Sequence, residues 1–275
     1  MAVSLDQIVH STRGKVAAAK CTADVRELER RAERHVPRGF RRVLEEKNRS
    51  RIAVIAELKK ASPSKGLIRE EFCVEELAKE LEAAGAAALS VLTDEEFFQG
   101  SLENLRNASA AVKIPCLRKD FIVDEFQLLE ARAHSADGVL LIVAALTQTE
   151  LTTLALGARS RGLDVLCEVH DEAELQRALD AGCDLIGVNT RDLRTFQVDT
   201  QTAFRLAERL PKNVVRVAES GIRSGEDIAR LRDAGYQAFL IGETLMRAVS
   251  PSETLRELVA SARYPVPSLR KDSCV

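Results

Sequence analysis

A chain of 275 residues with 45% hydrophobic content can bury one large α/β core or two small ones. Its formal net charge of −2 leaves no basic excess for phosphates or an anionic surface, so neither nucleic acid nor a membrane is expected as a partner. No run of about 18 apolar residues occurs, and the N-terminus MAVSLDQIVHSTRGK lacks the apolar stretch of a signal peptide, which makes the cytoplasm the expected location.

Residues 1–50 precede the first apolar run. Within them RELERRAERHVPRGFRRVLEEK is rich in helix formers and charge, broken at Pro37 and Gly39. It predicts an N-terminal helical extension that packs over the mouth of the following domain. Eight short apolar runs come next, beginning near residues 52, 87, 112, 138, 163, 185, 214 and 238. Between them lie segments such as VEELAKELEAAG, DEFQLLEARAH, DEAELQRALDAG and SGEDIARLRDAG, whose apolar residues recur three and four apart, the helical period. Four of the runs share one form, a helix tail, a small-residue turn and a strand. Aligning Gly85, Ser135, Gly182 and Gly235 gives intervals of 50, 47 and 53 residues, room for two strand–helix units each. Eight such units predict a parallel sheet closed into a single (β/α)₈ TIM barrel over residues 51–262, with an open doubly wound sheet as the alternative. The tail PVPSLRKDSCV has two prolines and little apolar content, so residues 263–275 are expected to be disordered. Six cysteines are scattered without a C-x-x-C pair, which reads as reduced thiols, mostly in the core, and as no metal site.

In such a barrel, polar residues at the C-terminal ends of strands line the active site. Strand 1 ends with Glu57 and Lys59, which alternation places on one face. Strand 3 offers Lys119, strand 5 Glu168, strand 6 Asn189 and Arg191, and strand 7 Glu219 and Ser220. Three glutamates and two lysines crowded together would be a poor stabilising device, because buried charges are costly to desolvate. They make a good set of acids and bases, since crowding moves their pKa values. His170 is a weaker candidate beside Glu168, and Asp120 should face away from Lys119. Gly221 follows strand 7 and Gly242 follows strand 8, with Glu243–Met246 as a short helix; barrels commonly hold a phosphate between these two loops.

The segments IAELKKASPSKG, LSVLTDEEFFQGS, LRKDFIVDEFQ, LLIVAAL, VLCEVHDEAEL, GVNTRDLRTF, VAESGI and AFLIGETLMR, in order along about residues 1–260, resemble the strand-end motifs of the indole-3-glycerol phosphate synthase family of tryptophan biosynthesis. The resemblance implies closure of the indole pyrrole ring from 1-(2-carboxyphenylamino)-1-deoxyribulose 5-phosphate, with loss of carbon dioxide and water and without metal or organic cofactor. It implies Lys119 as general acid, Glu168 as acid/base carboxylate, and Lys59 as the holder of substrate anions and an aid to dehydration. Glu57, Asn189 and Glu219 would orient hydroxyls and the aryl amine, Arg191 and Ser62 would contact the substrate, and Phe98 would stack on its ring. Ser220, Gly221, Gly242 and Glu243 would hold the phosphate. A small hydroxyl residue is frequent in the family where Glu243 stands, so only the backbone N–H of Glu243 is expected to point inward. A cytoplasmic monomer or weak homodimer is the expected form. Another phosphate-binding barrel, such as phosphoribosylanthranilate isomerase, and a non-catalytic sugar-phosphate-binding barrel are the competing readings; Lys59 together with Lys119 argues against the first.

Overall fold

The structure, a computed structural model, describes residues 4–191 and 197–262. The tail expected over residues 263–275 lies outside the described residues. Eight parallel strands, β1 (Ala53–Leu58), β2 (Ala88–Leu92), β3 (Cys116–Lys119), β4 (Gly138–Ile142), β5 (Asp164–Val169), β6 (Leu185–Asn189), β7 (Val215–Glu219) and β8 (Ala238–Ile241), pair in sequence, and β8 closes on β1. The barrel is therefore closed, not an open sheet. The third strand starts at Cys116 rather than near 112, because the backbone N–H groups of Lys113 and Ile114 donate to Glu82 Oε1 at 2.8 and 3.0 Å and Pro115 has none to give. The repeated small-residue turn has a stereochemical origin. Gly85, Gly182 and Gly235 have φ of 101°, 72° and 100°, and Ser135 takes 62°, the left-handed residue that ends a helix before the next strand.

Alternation along each strand divides two cores. Outward residues such as Val54, Leu89, Val139, Val165 and Ile186 pack beneath the helices. Inward residues, among them Ile55, Leu117, Leu140, Leu166, Leu185, Val217 and Leu240, fill the barrel as branched apolar layers. Continuing the inward register past these layers, Glu57, Lys119, Glu168, Asn189 and Glu219 are carried to the C-terminal end.

Three helices precede the barrel, and they divide between its two ends. α1 (Leu5–Thr22), started by a Ser4–Gln7 capping box, lies over the mouth. Leu5 and Ile8 are buried there, while Arg13, Lys15 and Lys20 pair at 2.8–2.9 Å with Glu150, Glu96 and Asp124 in the segments after β4, β2 and β3. α2 (Val25–Arg34) descends beside the helix Glu125–Ala133. α3 (Phe40–Asn48) plugs the opposite end with fully buried Phe40 and Leu44. Arg38, between them, binds the wholly buried Asp137 that precedes β4, with Nη2–Oδ2 at 2.6 Å. Of the described cysteines, Cys116, Cys167 and Cys183 are buried as expected, whereas Cys21 and Cys73 are exposed. No described helix is long and apolar enough to cross a membrane.

Candidate active site

A cavity of about 440 Å³ opens at the C-terminal end of the barrel. Every residue expected at the site except Glu168 lines it: Glu57, Lys59 and Ser62 from β1 and its loop, Phe98 from the β2 loop, Lys119 from β3, Asn189 and Arg191 from β6, and Glu219, Ser220, Gly221, Gly242 and Glu243 from β7 and β8. Glu168 lies beneath, only 1% exposed, with Oε2 3.5 Å from Lys119 Nζ. Lys59 Nζ meets Glu57 Oε1 at 2.5 Å, so the two residues of β1 that share a face form a direct pair. Asp120 turns outward as alternation requires, held by Thr93 Oγ1 at 2.6 Å and Arg118 Nη2 at 2.9 Å.

The acid–base groups are shifted in unlike directions. Burial works against the charge of Lys119, but Glu168, Glu219 and Glu57 outweigh it and raise its pKa above the ordinary lysine value. Burial also disfavours the Glu168 and Glu57 carboxylates; Lys119 and His170 overcome this for Glu168, Lys59 and Lys119 for Glu57, and both stay below the usual range. Glu219 goes the other way. Burial and then the Glu168 charge push it well up. The site thus sets a raised lysine and a raised carboxyl beside two lowered carboxyls, with Lys59 paired to Glu57. Gly187 makes room for Glu219: a Cβ there would overlap Glu219 Oε1.

Beside the acid–base cluster, Ser220 and Gly221 take φ of 66° and 74° in succession, a left-handed pair rarely adopted by a non-glycine residue. Ser220 bears this strain at the cavity wall, where such strain marks a functional loop. Ion pairs complete this corner. Glu243 is held by Arg191 Nη2 at 3.4 Å and Arg247 Nε at 3.1 Å. Burial alone would raise its pKa, yet the arginines bring it below the ordinary value. Its side chain is therefore a counter-ion to guanidiniums, which a reading of Glu243 by its backbone alone did not anticipate. Among the described residues no group of three or more His, Cys, Asp or Glu is arranged to hold a metal ion.

The family model for indole-3-glycerol phosphate synthase matches residues 5–258. The chain belongs to the indole-3-glycerol phosphate synthase family. It is 63% identical to the indole-3-glycerol phosphate synthase of Koribacter versatilis over 94% of this chain and all of that relative. It is 47% identical to the enzyme of that name from Burkholderia ambifaria over 92% of this chain and 98% of the relative. Among solved structures, 3-hexulose-6-phosphate synthase superposes with a TM-score of 0.62 at 13% identity, covering 76% of this chain and 99% of that one, a likeness of fold alone.

Several lining groups escaped the sequence reading of this family member. Arg223 and Arg247 enter the cavity from loops already singled out for their glycines, and Leu92 and Leu240 form an apolar wall. Arg247 was visible as the residue one helical turn after Glu243; Leu92 and Leu240 carry no signal that separates them from core. Phe121 follows Lys119 by two positions on the same face, and its ring centroid lies 6.2 Å from that of Phe98.

Proposed function

We propose that the barrel mouth closes the pyrrole ring of indole, converting 1-(2-carboxyphenylamino)-1-deoxyribulose 5-phosphate to indole-3-glycerol phosphate with release of carbon dioxide and water. One observation carries the assignment of roles: Lys119 faces the cavity and is backed 3.5 Å away by the buried Glu168, one of three glutamates that favour its charge. The aryl carbon bearing the carboxylate attacks the ribulose carbonyl while Lys119 protonates the carbonyl oxygen. The developing alkoxide is a stronger base than an amine, so a tightly held lysine proton still moves toward it. Loss of carbon dioxide leaves its bonding pair on the ring and restores aromaticity. Dehydration follows: the new hydroxyl leaves as water, Lys59 assisting, and Glu168 takes a proton from the carbon next to the new ring junction.

Binding falls to the remaining groups. Glu57 and Asn189 hold hydroxyls, and the neutral Glu219 donates to one without repelling the substrate's own charges. Phe98 stacks on the aryl ring beside Leu92, with Ser62 at the rim. The left-handed pair Ser220–Gly221, the backbone at Gly242 and Glu243, and the guanidinium of Arg191 take the phosphate; successive N–H groups in such a turn form an anion nest. The form is a cytoplasmic monomer or weak homodimer. Among the described residues the exposed large apolar side chains (Val25, Val36, Leu67, Leu156, Val249) sit singly on different elements, which supports weak self-association at most.

The test mixes the purified protein with the carboxyphenylamino-ribulose phosphate and follows indole fluorescence with excess chelator present. Appearance of the signal supports the assignment; substrate binding by calorimetry without any signal would leave a phosphate-binding barrel of other chemistry.

A further inference from the structure

Resting on that ring-closure reading, the proton balance poses a question. The substrate leaves one carboxylate as carbon dioxide, and its carbonyl oxygen departs as water carrying two protons. One of them comes from the substrate carbon; the other must come from solvent. Each turnover therefore consumes one proton. Yet Lys119 and Glu168 are covered once substrate fills the cavity above them, their side chains being 15% and 1% exposed even without it.

We propose that His170 is the port for this proton, relaying it from solvent to Glu168 and so to Lys119. Residue 170 follows Glu168 on the same inward register of β5. The two oxygens of Glu168 face different partners: Oε2 lies 3.5 Å from Lys119 Nζ, and Oε1 lies 3.5 Å from His170 Nε2. The other ring nitrogen, Nδ1, is 2.9 Å from Glu174 Oε2, an oxygen that also accepts from the His170 backbone N–H at 2.8 Å. Glu174 thus fixes the plane of the imidazole and leaves the buried Nε2 on the Glu168 side, at ion-pair distance and outside hydrogen-bond geometry. His170 and Glu174 open on a second cavity of about 660 Å³, which shares Asn189 with the first. Among the described residues the charged groups around it are Asp6 of α1, Asp171 and Glu174 after β5, and Asp199 and Arg205 after β6, with Lys119 behind Glu168. Four described acids against one described arginine favour the approach of a cation from this side. In the relay His170 gives its Nε2 proton to Glu168, which passes it to Lys119 after ring closure; because Nε2 is buried and Nδ1 faces Glu174, the imidazole regains a proton at Nδ1 through Glu174, which takes it from water in the second cavity. No bond other than N–H and O–H changes.

His170→Ala and His170→Gln separate relay from scaffold, because glutamine keeps a donor and an acceptor but cannot pass a proton on. The readout is the multiple-turnover rate of indole formation, which depends on refilling Lys119, with substrate affinity measured alongside. A relay predicts a fall of about 10²-fold in both variants at unchanged affinity. It also predicts recovery of the alanine variant on adding imidazole, for which the second cavity has room. A wild-type rate in either variant, or an alanine variant that imidazole leaves slow, would overturn the proposal. Absence of turnover in the parent protein would instead sink the ring-closure reading, and the relay with it.

Discussion

Glu219 of β7 leans across β6 to the carboxylate of Glu168 on β5, through the space left by the missing side chain at Gly187. Burial and the neighbouring Glu168 charge both raise the Glu219 pKa, whereas Lys119 and His170 outweigh burial for Glu168 and lower it, so the two carboxyls are pushed in opposite directions.

Glu219→Gln copies the neutral carboxyl, replacing its O–H donor with an N–H. Ring closure should survive within about tenfold, whereas Glu168→Gln should lose the 10²–10⁴-fold ascribed to an acid/base group. The pH signature follows from linkage. Glu219 binds its proton more tightly folded than unfolded, so its contribution to stability falls as pH rises from the ordinary 4.5 through its raised value. Glu57 and Glu168 are depressed and lose their contribution as pH falls below 4.5. Denaturant midpoints from pH 4 to 9 should show the glutamine variant gaining on the parent as pH rises. A gap that does not change with pH would mean Glu219 is ionised.

Lys119→Ala removes the proposed proton donor and the cation that Glu168, Glu57 and Glu219 share. Indole formation should fall by at least about 10²-fold with the barrel intact by circular dichroism. Calorimetric binding of the substrate should persist, because Lys59 and the phosphate corner remain. Turnover at the parent rate would remove Lys119 as the acid.

The barrel was legible because its signals are local and repeated: an apolar run, a helical period and a left-handed turn recur along the chain. The charged residues at the mouth were legible for the same reason, since a charge that continues the inward face of an apolar strand must meet either a partner or a polar site at the barrel mouth. What escaped depends on contacts between strands. Nothing in IGVN distinguishes Gly187 as room for a carboxyl two strands' reach from its partner. Likewise Glu243 reads as a helix residue until Arg191, 52 positions earlier, is brought to it. The division of the extension between mouth and base was equally hidden, because the Arg38–Asp137 pair joins residues 99 apart.

Arg38 is the strut of that lower end. Its guanidinium reaches Asp137 Oδ2 from Nη2 at 2.6 Å and Nε at 3.0 Å, and its backbone N–H reaches Oδ1 at 2.7 Å. Arg38→Ala would strand a wholly buried carboxylate with only His35 and backbone N–H groups as partners. Unpairing a buried ion pair costs about 3–5 kcal/mol. Urea unfolding should report a loss of that size, with the rate of the folded enzyme unchanged because the site lies at the other end. A loss below about 1 kcal/mol would mean that His35 holds Asp137 alone, contrary to the geometry.

Gly242 offers the sharpest separation of two roles. Sequence alone makes it a phosphate glycine, and its φ of −121° needs no glycine. The space does: a Cβ there would overlap Glu57 Oε1, the oxygen that pairs with Lys59. Gly242→Ala should therefore displace Glu57 first, lowering the ring-closure rate while inorganic phosphate still competes with nearly its parent affinity. Shortening the clashing side chain removes the Oε1 and Cδ overlaps and leaves one tight Cβ contact at 3.0 Å, so in a Glu57→Ala background the same glycine change should cost much less further rate. Neighbours in contact depart from additivity in this way. If phosphate affinity fell instead and the two substitutions multiplied, Gly242 would serve the phosphate alone, and the Glu57–Lys59 pair would owe nothing to β8.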